Sequence, residues 1–152
     1  MLRIIISDSS TFILFDKIKR LDILKGVYEK IITTPEIAKE FGGVLPDWVE
    51  IRPVADEKYK QFLQTQLDIG EASALALAKE FDDVLLILDD LKARNLAIRL
   101  NLKITGTLGV INKAKEIGVI DSVLPIINLL LQTDFRISKN IIDELLRRND
   151  EV

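Results

Sequence analysis

The sequence of 152 residues contains neither cysteine nor histidine. Without cysteine, the chain cannot form disulfides, use a thiolate nucleophile or bind zinc through sulfur, and it suits a reducing cytosol. Without histidine, it cannot form a Ser-His or Cys-His triad or a His-ligated transition-metal site. Any proton transfer or metal binding must therefore fall to carboxylates, Lys, Tyr or hydroxyl groups.

The sequence also has little excess of charge and no long apolar run. Lys and Arg number 21 and Asp and Glu 24, a net charge of −3. Binding of nucleic acid would therefore require a local basic rim or a bridging metal ion. The most apolar segment, 119–131, is interrupted by Asp121, Pro125 and Asn128 and is shorter than the roughly 20 apolar residues of a membrane span. The first ten residues do not resemble a signal peptide, so we expect a soluble, cytoplasmic protein.

Short apolar runs alternate with helical patterns along the chain. Strands are predicted at residues 3–7, 30–33, 84–88 and 102–105, and segment 48–54, which contains Pro53, is either an edge strand or an extended connector. This alternation indicates an α/β fold with a mainly parallel sheet. With 48% hydrophobic and 30% charged residues, the chain fits one domain.

Helices are predicted between the strands. One helix is expected after Asp8, with a break at Gly26, and another is expected to start at Thr34-Pro35 and to stop at Gly42. The helix predicted over 56–67 would turn Phe62 inward. Further helices are predicted at 70–81, 91–100, 107–117, 121–131 and from residue 138 to about 148, with an irregular connector at 135–138.

Acidic residues follow two of the predicted strands and open the helices beside them. Asp8 follows the first strand, Asp89 and Asp90 follow the strand at 84–88, and Glu71 lies in the first turn of the preceding helix. Because ligands collect at the carboxyl ends of parallel strands, we expect these acids to meet there. Either Glu36 or Glu40, four residues apart on one helix, would join them. Carboxylates without His or Cys form a hard oxygen site suited to Mg²⁺ or Mn²⁺.

Each of these acids also has a structural explanation. Glu71 and Glu36 could complement helix dipoles, and Asp90 could cap the following helix. Asp8 is the strongest candidate, because a carboxylate directly after a buried central strand seldom serves packing. Ser73 and Thr107 could position a water or a phosphate, or act as ordinary capping and packing residues. A cluster of this kind repels itself, so it should hold a metal or show raised carboxylate pKa values.

The segments IIISDSS, TPEIAKEF, GEASALALAKE and LLILDD, in this order, resemble the PIN-domain family of metal-dependent ribonucleases, which includes VapC-like toxins. The segments DSS, GEASALALA, LDD with its basic helix, TGTLGVI and FRIS also resemble a PIN-like subgroup of largely uncharacterised proteins. The resemblance implies a three-layer α/β/α fold with a mainly parallel central sheet, formed by residues 1–152 as a single PIN-like domain.

The resemblance also implies an activity, a Mg²⁺- or Mn²⁺-dependent endoribonuclease that hydrolyses RNA phosphodiesters at an acidic metal site. Its catalytic residues would be Asp8, Glu40, Glu71, Asp89 and Asp90. Its metal ligands would be Asp8, Glu71 and Asp89, with Asp90 as the neighbouring candidate.

The basic residues and the partners follow from the same resemblance. Lys92, Arg94 and Arg99 could form a basic rim that binds RNA, or simply a solvated helix face. The family implies the toxin of a toxin–antitoxin pair, checked by a small antitoxin protein, and a homodimer for which segment 119–131 is a candidate contact surface, although core packing explains that segment as well. The alternative is a catalytically silent PIN-like module that binds RNA or protein.

Overall fold

The computed structural model describes residues 3–151. Its sheet has five parallel strands in the order β3-β2-β1-β4-β5. The predicted parallel sheet is confirmed, and segment 48–54 supplies an edge strand that ends before Pro53. The strands are β1 (Ile4–Ser7), β2 (Ile31–Thr33), β3 (Val49–Ile51), β4 (Val84–Ile87) and β5 (Lys103–Thr105).

Nine helices within residues 3–151 cover the sheet and complete the predicted three-layer α/β/α arrangement. In that part of the chain, every helix is too short or too polar to cross a bilayer. The helices are α1 (Ser9–Lys17), α2 (Leu21–Tyr28), α3 (Pro35–Phe41), α4 (Glu57–Leu63), α5 (Ile69–Ala78), α6 (Leu91–Arg99), α7 (Thr107–Glu116), α8 (Leu124–Leu131) and α9 (Lys139–Arg148).

The two central strands and α5 form the middle of the core. Ile6 of β1 and Leu86 of β4 are fully buried, as expected for strands covered on both faces. Helix α5 is buried at every position from Ala72 to Ala78, because it packs against α3, α4 and the sheet at once. Its small Ala side chains allow these neighbours to approach closely, which fixes the start of α5 near the sheet edge.

Two helix predictions are wrong. The helix expected after Asp8 breaks between α1 and α2, at residues 18–20, and not at Gly26, which lies inside α2. A Cβ at this position would lie 2.7 Å from Val119 Cγ1, so the glycine serves close packing. Phe62 is 61% exposed rather than inward, because the neighbouring Leu63, 1% exposed, occupies the inward face of the short helix α4.

The helix-end signals are largely confirmed. Thr34 Oγ1 accepts a hydrogen bond from the Ile37 amide at 3.1 Å, and α3 ends at Gly42, which has a φ of +82°. The helix predicted over 70–81 begins one residue earlier and ends at Ala78. Segment 119–131 contributes Ile120, Val123, Ile126, Ile127 and Leu130 to the core, while Leu124 and Leu131 are 39% and 46% exposed.

Candidate metal centre

Six carboxylates gather at the carboxyl edge of the sheet, where the strand order reverses between β1 and β4. The register pairs Ser7 with Ile87, so the residues that follow these strands emerge side by side. In open parallel sheets this crevice is the usual ligand site. The six acids, which we call the acidic cluster, are Asp8, Glu40, Asp68, Glu71, Asp89 and Asp90.

Asp8 is the most deeply placed member of the acidic cluster. Its residue is 2% exposed, and its Oδ1 atom is buried without a hydrogen-bond partner in residues 3–151. Burial raises the pKa of Asp8 to about 7; the Ser9 amide opposes the shift, and the charges of Glu40, Asp68 and Asp89 add to it. A buried carboxylate oxygen without a partner is unfavourable unless a proton or a cation satisfies it.

Glu71 has the second strongly perturbed carboxyl group. Burial raises the pKa of Glu71 to about 7, and the charges of Asp68, Asp90 and Asp8 raise it further, while the backbone amide of Asp68 lowers it. In a separate hydrogen bond, the Glu71 amide donates to Asp68 Oδ1 at 2.8 Å. The expected raised pKa values are therefore present at two members of the acidic cluster, through burial first and the neighbouring carboxylates second.

The two glutamates of α3 have different surroundings. The Glu40 carboxylate accepts a hydrogen bond from Ser9 Oγ, and its Oε1 would lie 3.0 Å from a Cβ added at Gly70. Glu36 instead pairs with Lys60 of α4 at 2.6 Å. Of the two, Glu40 is therefore the one that belongs to the acidic cluster.

Asp89 and Asp90 are held by different partners. Asp89 accepts hydrogen bonds from the Thr107 amide at 2.8 Å and from Thr107 Oγ1 at 2.5 Å, while Thr11 Oγ1 lies 3.5 Å from its Oδ2. Asp90 Oδ2 accepts from the Ala93 amide at 2.9 Å and so caps α6. Asp89 raises the pKa of Asp8, whereas Asp90 raises that of Glu71.

None of the six carboxylates of the acidic cluster forms an ion pair with a Lys or Arg of residues 3–151. As the side chains are placed in this part of the chain, however, no three acidic groups are arranged to hold a metal ion. The structure brings the predicted acids to one edge of the sheet, and hydrogen bonds from Ser9, Thr107 and the Ala93 amide hold three of their carboxylates.

The donor chemistry nevertheless fits a hard divalent cation. All candidate ligands are carboxylate oxygens, the donors that Mg²⁺ and Mn²⁺ prefer. The unpartnered Oδ1 of Asp8 is an acceptor that a cation would satisfy. Buried charges are normally paired or coordinate metals, and the carboxylates of this cluster have no ion-pair partner among residues 3–151.

The three predicted RNA-binding residues of α6 differ in their contacts. Lys92 and Arg99 are exposed, whereas Arg94 is partly buried. Arg94 Nη1 donates to the Leu88 carbonyl at 2.7 Å. A Cβ at Gly106 would lie 2.8 Å from this Nη1 and 2.7 Å from Asp89 Oδ1. Arg94 therefore supports the segment that carries Asp89.

Sequence reasoning missed Asp68, Ser9 and Thr11. Asp68 caps α5 and stands three residues before Glu71, a spacing similar to the capping box, which could have revealed it. Ser9 directly follows Asp8, but its bond to Glu40 spans 31 residues. Thr11 contacts Thr107 across 96 residues, and no local pattern in the sequence marks either contact.

A family model described as a PIN domain matches residues 4–151. No curated protein matches the chain.

Proposed function

The chain belongs to the PIN-domain family, and on that premise we propose that it is a Mg²⁺- or Mn²⁺-dependent endoribonuclease that hydrolyses RNA phosphodiesters. The fold is of a nuclease type, with a parallel sheet whose carboxyl edge carries acidic residues. The observation that supports the activity best is the acidic cluster itself. Six carboxylates share one crevice without an ion pair to a basic side chain of residues 3–151, and the pKa values of Asp8 and Glu71 are raised to about 7.

Asp8, Glu71 and Asp89 would hold the cation, with Asp90 as the neighbouring ligand. A divalent ion at this position supplies electrostatic stabilisation of the charge that develops on the phosphodiester. Asp8 and Glu71 would release protons when the cation binds, because their carboxyl groups are half protonated near pH 7. Glu40, exposed at the rim, would accept a hydrogen bond from water in the crevice while it orients the Ser9 hydroxyl.

The test is hydrolysis of single-stranded and structured RNAs with Mn²⁺. We expect Asp8→Asn to reduce the rate by about 100-fold or more, because it removes a charge at the centre of the site. Glu40→Gln should reduce the rate by about tenfold or more. Glu36→Gln, one helical turn away and paired with Lys60, is the matched control and should leave the rate unchanged. Unchanged cleavage by the Asp8→Asn variant would reject the mechanism.

The toxin of a toxin–antitoxin pair is the biological role that we propose for this nuclease. The support is the family together with the unneutralised acidic cluster, which is complementary to a basic side chain of a small antitoxin protein. The VapC-like toxins of the family also suggest a homodimer. The role requires a small neighbouring gene whose product blocks cleavage when it is co-expressed. A freely expressed, active monomer without such a neighbour would contradict it.

A catalytically silent module that binds RNA or protein is the second candidate. It is favoured by the hydrogen bonds that occupy Glu40, Asp89 and Asp90 and by the absence, within residues 3–151, of a ready-made ion site. Calorimetric titration with Mn²⁺ separates the two candidates. Binding that is lost in the Asp8→Asn variant supports the nuclease, whereas no binding to the wild-type chain supports the silent module.

A further inference from the structure

A second concave site lies beside the acidic cluster, between the turn that joins α4 to α5 and one face of α6. Its volume is about 220 Å³. Its floor is apolar, since Leu67 is buried and Leu96 partly buried. We call it the cationic cleft. It is lined by Gln66, Leu67, Lys92, Asn95, Leu96 and Arg99.

The cations of the cleft lie on one face of α6. Lys92, Asn95 and Arg99 are spaced three and four residues apart, so their side chains share one side of the helix. At 1.5 Å per residue, the backbones of Lys92 and Arg99 are about 10 Å apart. Both side chains are exposed, and neither forms an ion pair with another group in residues 3–151. These are two cations free to meet an anion.

One end of the cleft adjoins the acidic cluster. Leu67 directly precedes Asp68, and Lys92 comes two residues after Asp90. The charges of Asp68 and Asp90 both act on Glu71, so the two segments that line this end of the cleft also carry members of the acidic cluster. Arg99 lies at the far end of α6. The cleft therefore leads away from the carboxylates along the helix.

We propose that the cationic cleft binds phosphate groups of the RNA strand to one side of the bond that is cut. The inference rests on the proposed function, because it takes RNA to be the substrate. Lys and Arg neutralise backbone phosphates, and the side-chain amides of Gln66 and Asn95 can donate hydrogen bonds to them. In a chain of net charge −3, an approaching strand needs such a local positive site beside the acids. Arg94 does not line this cleft, and its Nη1 donates to the Leu88 carbonyl.

The experiment measures binding without cleavage. Affinity of a short fluorescent single-stranded RNA is measured by anisotropy over a range of KCl concentrations, with the Asp8→Asn variant as the parent protein. Lys92→Glu with Arg99→Glu should weaken binding about tenfold or more at moderate salt. The slope of log K against log salt should become shallower by about 1.4, because two phosphate contacts are lost. Circular dichroism confirms that the variants are folded.

The matched control is Lys103→Glu with Lys139→Glu, which makes the same change of charge at exposed positions outside the cleft. Its affinity should change less than about twofold from the parent. If the cleft and control variants weaken binding equally, net charge alone explains the effect and the inference is overturned. If inorganic phosphate displaces the RNA at a concentration near the RNA's own Kd, the cleft is a site for the free phosphate ion. That result would also overturn the inference.

The inference and the proposed function fail in different ways. A wild-type chain that cleaves RNA with Mn²⁺, combined with a cleft variant that keeps the parent's affinity and salt slope, refutes the cleft and leaves the nuclease standing. A wild-type chain that neither takes up Mn²⁺ nor cleaves, combined with a cleft variant that loses RNA binding, refutes the nuclease and assigns the cleft to a binding module.

Discussion

Asp8 is fixed by the backbone in a position that its own charge disfavours. Its amide donates to the Ile87 carbonyl at 3.1 Å, and its φ of −75° and ψ of 167° place it at the cap of α1. The carboxyl group therefore cannot withdraw from the charges of Glu40, Asp68 and Asp89. Only a proton or a cation relieves this repulsion. The same residue then weakens the metal-free fold and attracts the cation, a trade-off common at functional sites.

The first prediction concerns the stability of the Asp8→Asn variant. The folded pKa of Asp8, about 7, lies above the ordinary value of 3.8. The folded state therefore binds more protons than the unfolded state, and Asp8 lowers the free energy of unfolding as the pH rises from about 4 through 7. Asparagine cannot ionise, so it removes this fall in the free energy of unfolding, although it still buries a polar amide. We expect the variant to gain on the order of 2 kcal/mol near pH 8 without metal.

For a chain of this length that gain corresponds to a rise in Tm of about 4–8 °C, measured by thermal denaturation in the presence of a chelator. The advantage should disappear near pH 4, where Asp8 is protonated in both states. Asp121→Asn, at an exposed position without a hydrogen bond to another side chain in residues 3–151, is the control and should change the Tm little. A lower Tm for Asp8→Asn near pH 8 would contradict the prediction.

The second prediction concerns Gly106, whose missing side chain leaves room for two groups. A Cβ there would lie 2.7 Å from Asp89 Oδ1 and 2.8 Å from Arg94 Nη1. The backbone φ of −130° suits any residue, so Gly106→Ala should fold and displace Asp89. We expect Mn²⁺ affinity to fall by about 10- to 100-fold, as for other changes that misplace metal ligands.

Calorimetric titration measures that affinity. Gly43→Ala makes the same change where the nearest atom, Phe41 Cε2, is 3.5 Å away, an ordinary contact. This control should bind Mn²⁺ like the wild type. Equal affinity of the two variants would show that Asp89 is not a ligand.

At the scale of elements, the start of α5 combines a helix cap with a charge. Asp68 Oδ1 accepts a hydrogen bond from the Glu71 amide at 2.8 Å, which satisfies one of the free amides of the first turn. The same carboxylate raises the pKa values of Asp8 and Glu71. The helix start therefore brings a second acid beside Glu71, and its capping and electrostatic roles can be separated by substitution.

The third prediction uses two substitutions of Asp68. Asp68→Asn retains the cap and removes the charge, so the free energy of unfolding should fall by less than about 0.5 kcal/mol. Asp68→Ala removes both the cap and the charge and should lower the free energy of unfolding by about 1 kcal/mol. Both variants should bind Mn²⁺ more weakly by a similar factor, since both lose the charge. Urea denaturation and titration with Mn²⁺ test the two effects, and equal loss of stability in both variants would refute the capping role.

The elements of this chain were predictable where the cause is local. Apolar runs predicted β1 and β4, and the pair Thr34-Pro35 predicted the start of α3, because burial and capping act within a few residues. The predictions for Gly26 and Phe62 were wrong because the environment of Gly26 depends on Val119, and that of Phe62 on the short length of α4. The strand-end rule predicted that Asp8 and Asp89 share an edge. It could not predict the bond of Asp89 to Thr107, which closes across 18 residues.

At the scale of the whole molecule, the acidic cluster exists only when the chain is folded. Its members come from the ends of β1 and β4 and from the starts or ends of α3, α5 and α6, segments that span residues 8–90. A cation that binds them therefore stabilises the native state alone and shifts the unfolding equilibrium by mass action. Binding of the cation and global stability are consequently linked, and protons compete for the same oxygens.

The fourth prediction follows from this linkage. Near pH 8, Mn²⁺ at about 100 times its Kd should add about 2.7 kcal/mol to the free energy of unfolding and raise the Tm by about 5–10 °C. Near pH 5 the increase should be much smaller, because Asp8 and Glu71, with pKa values of about 7, are then protonated in the folded state. The pKa of Glu151 is shifted in the opposite direction: burial raises it, but hydrogen bonds to the carboxylate outweigh burial and lower the pKa to about 2. Glu151 gives stability that is present above its ordinary pKa of 4.5 and is lost only as the pH falls toward 2, outside this window.

Thermal denaturation with and without Mn²⁺ at both pH values measures the increase in Tm that the ion causes. An equal shift at the two pH values, or an undiminished shift in the Asp8→Asn variant, would place the bound ion away from the acidic cluster.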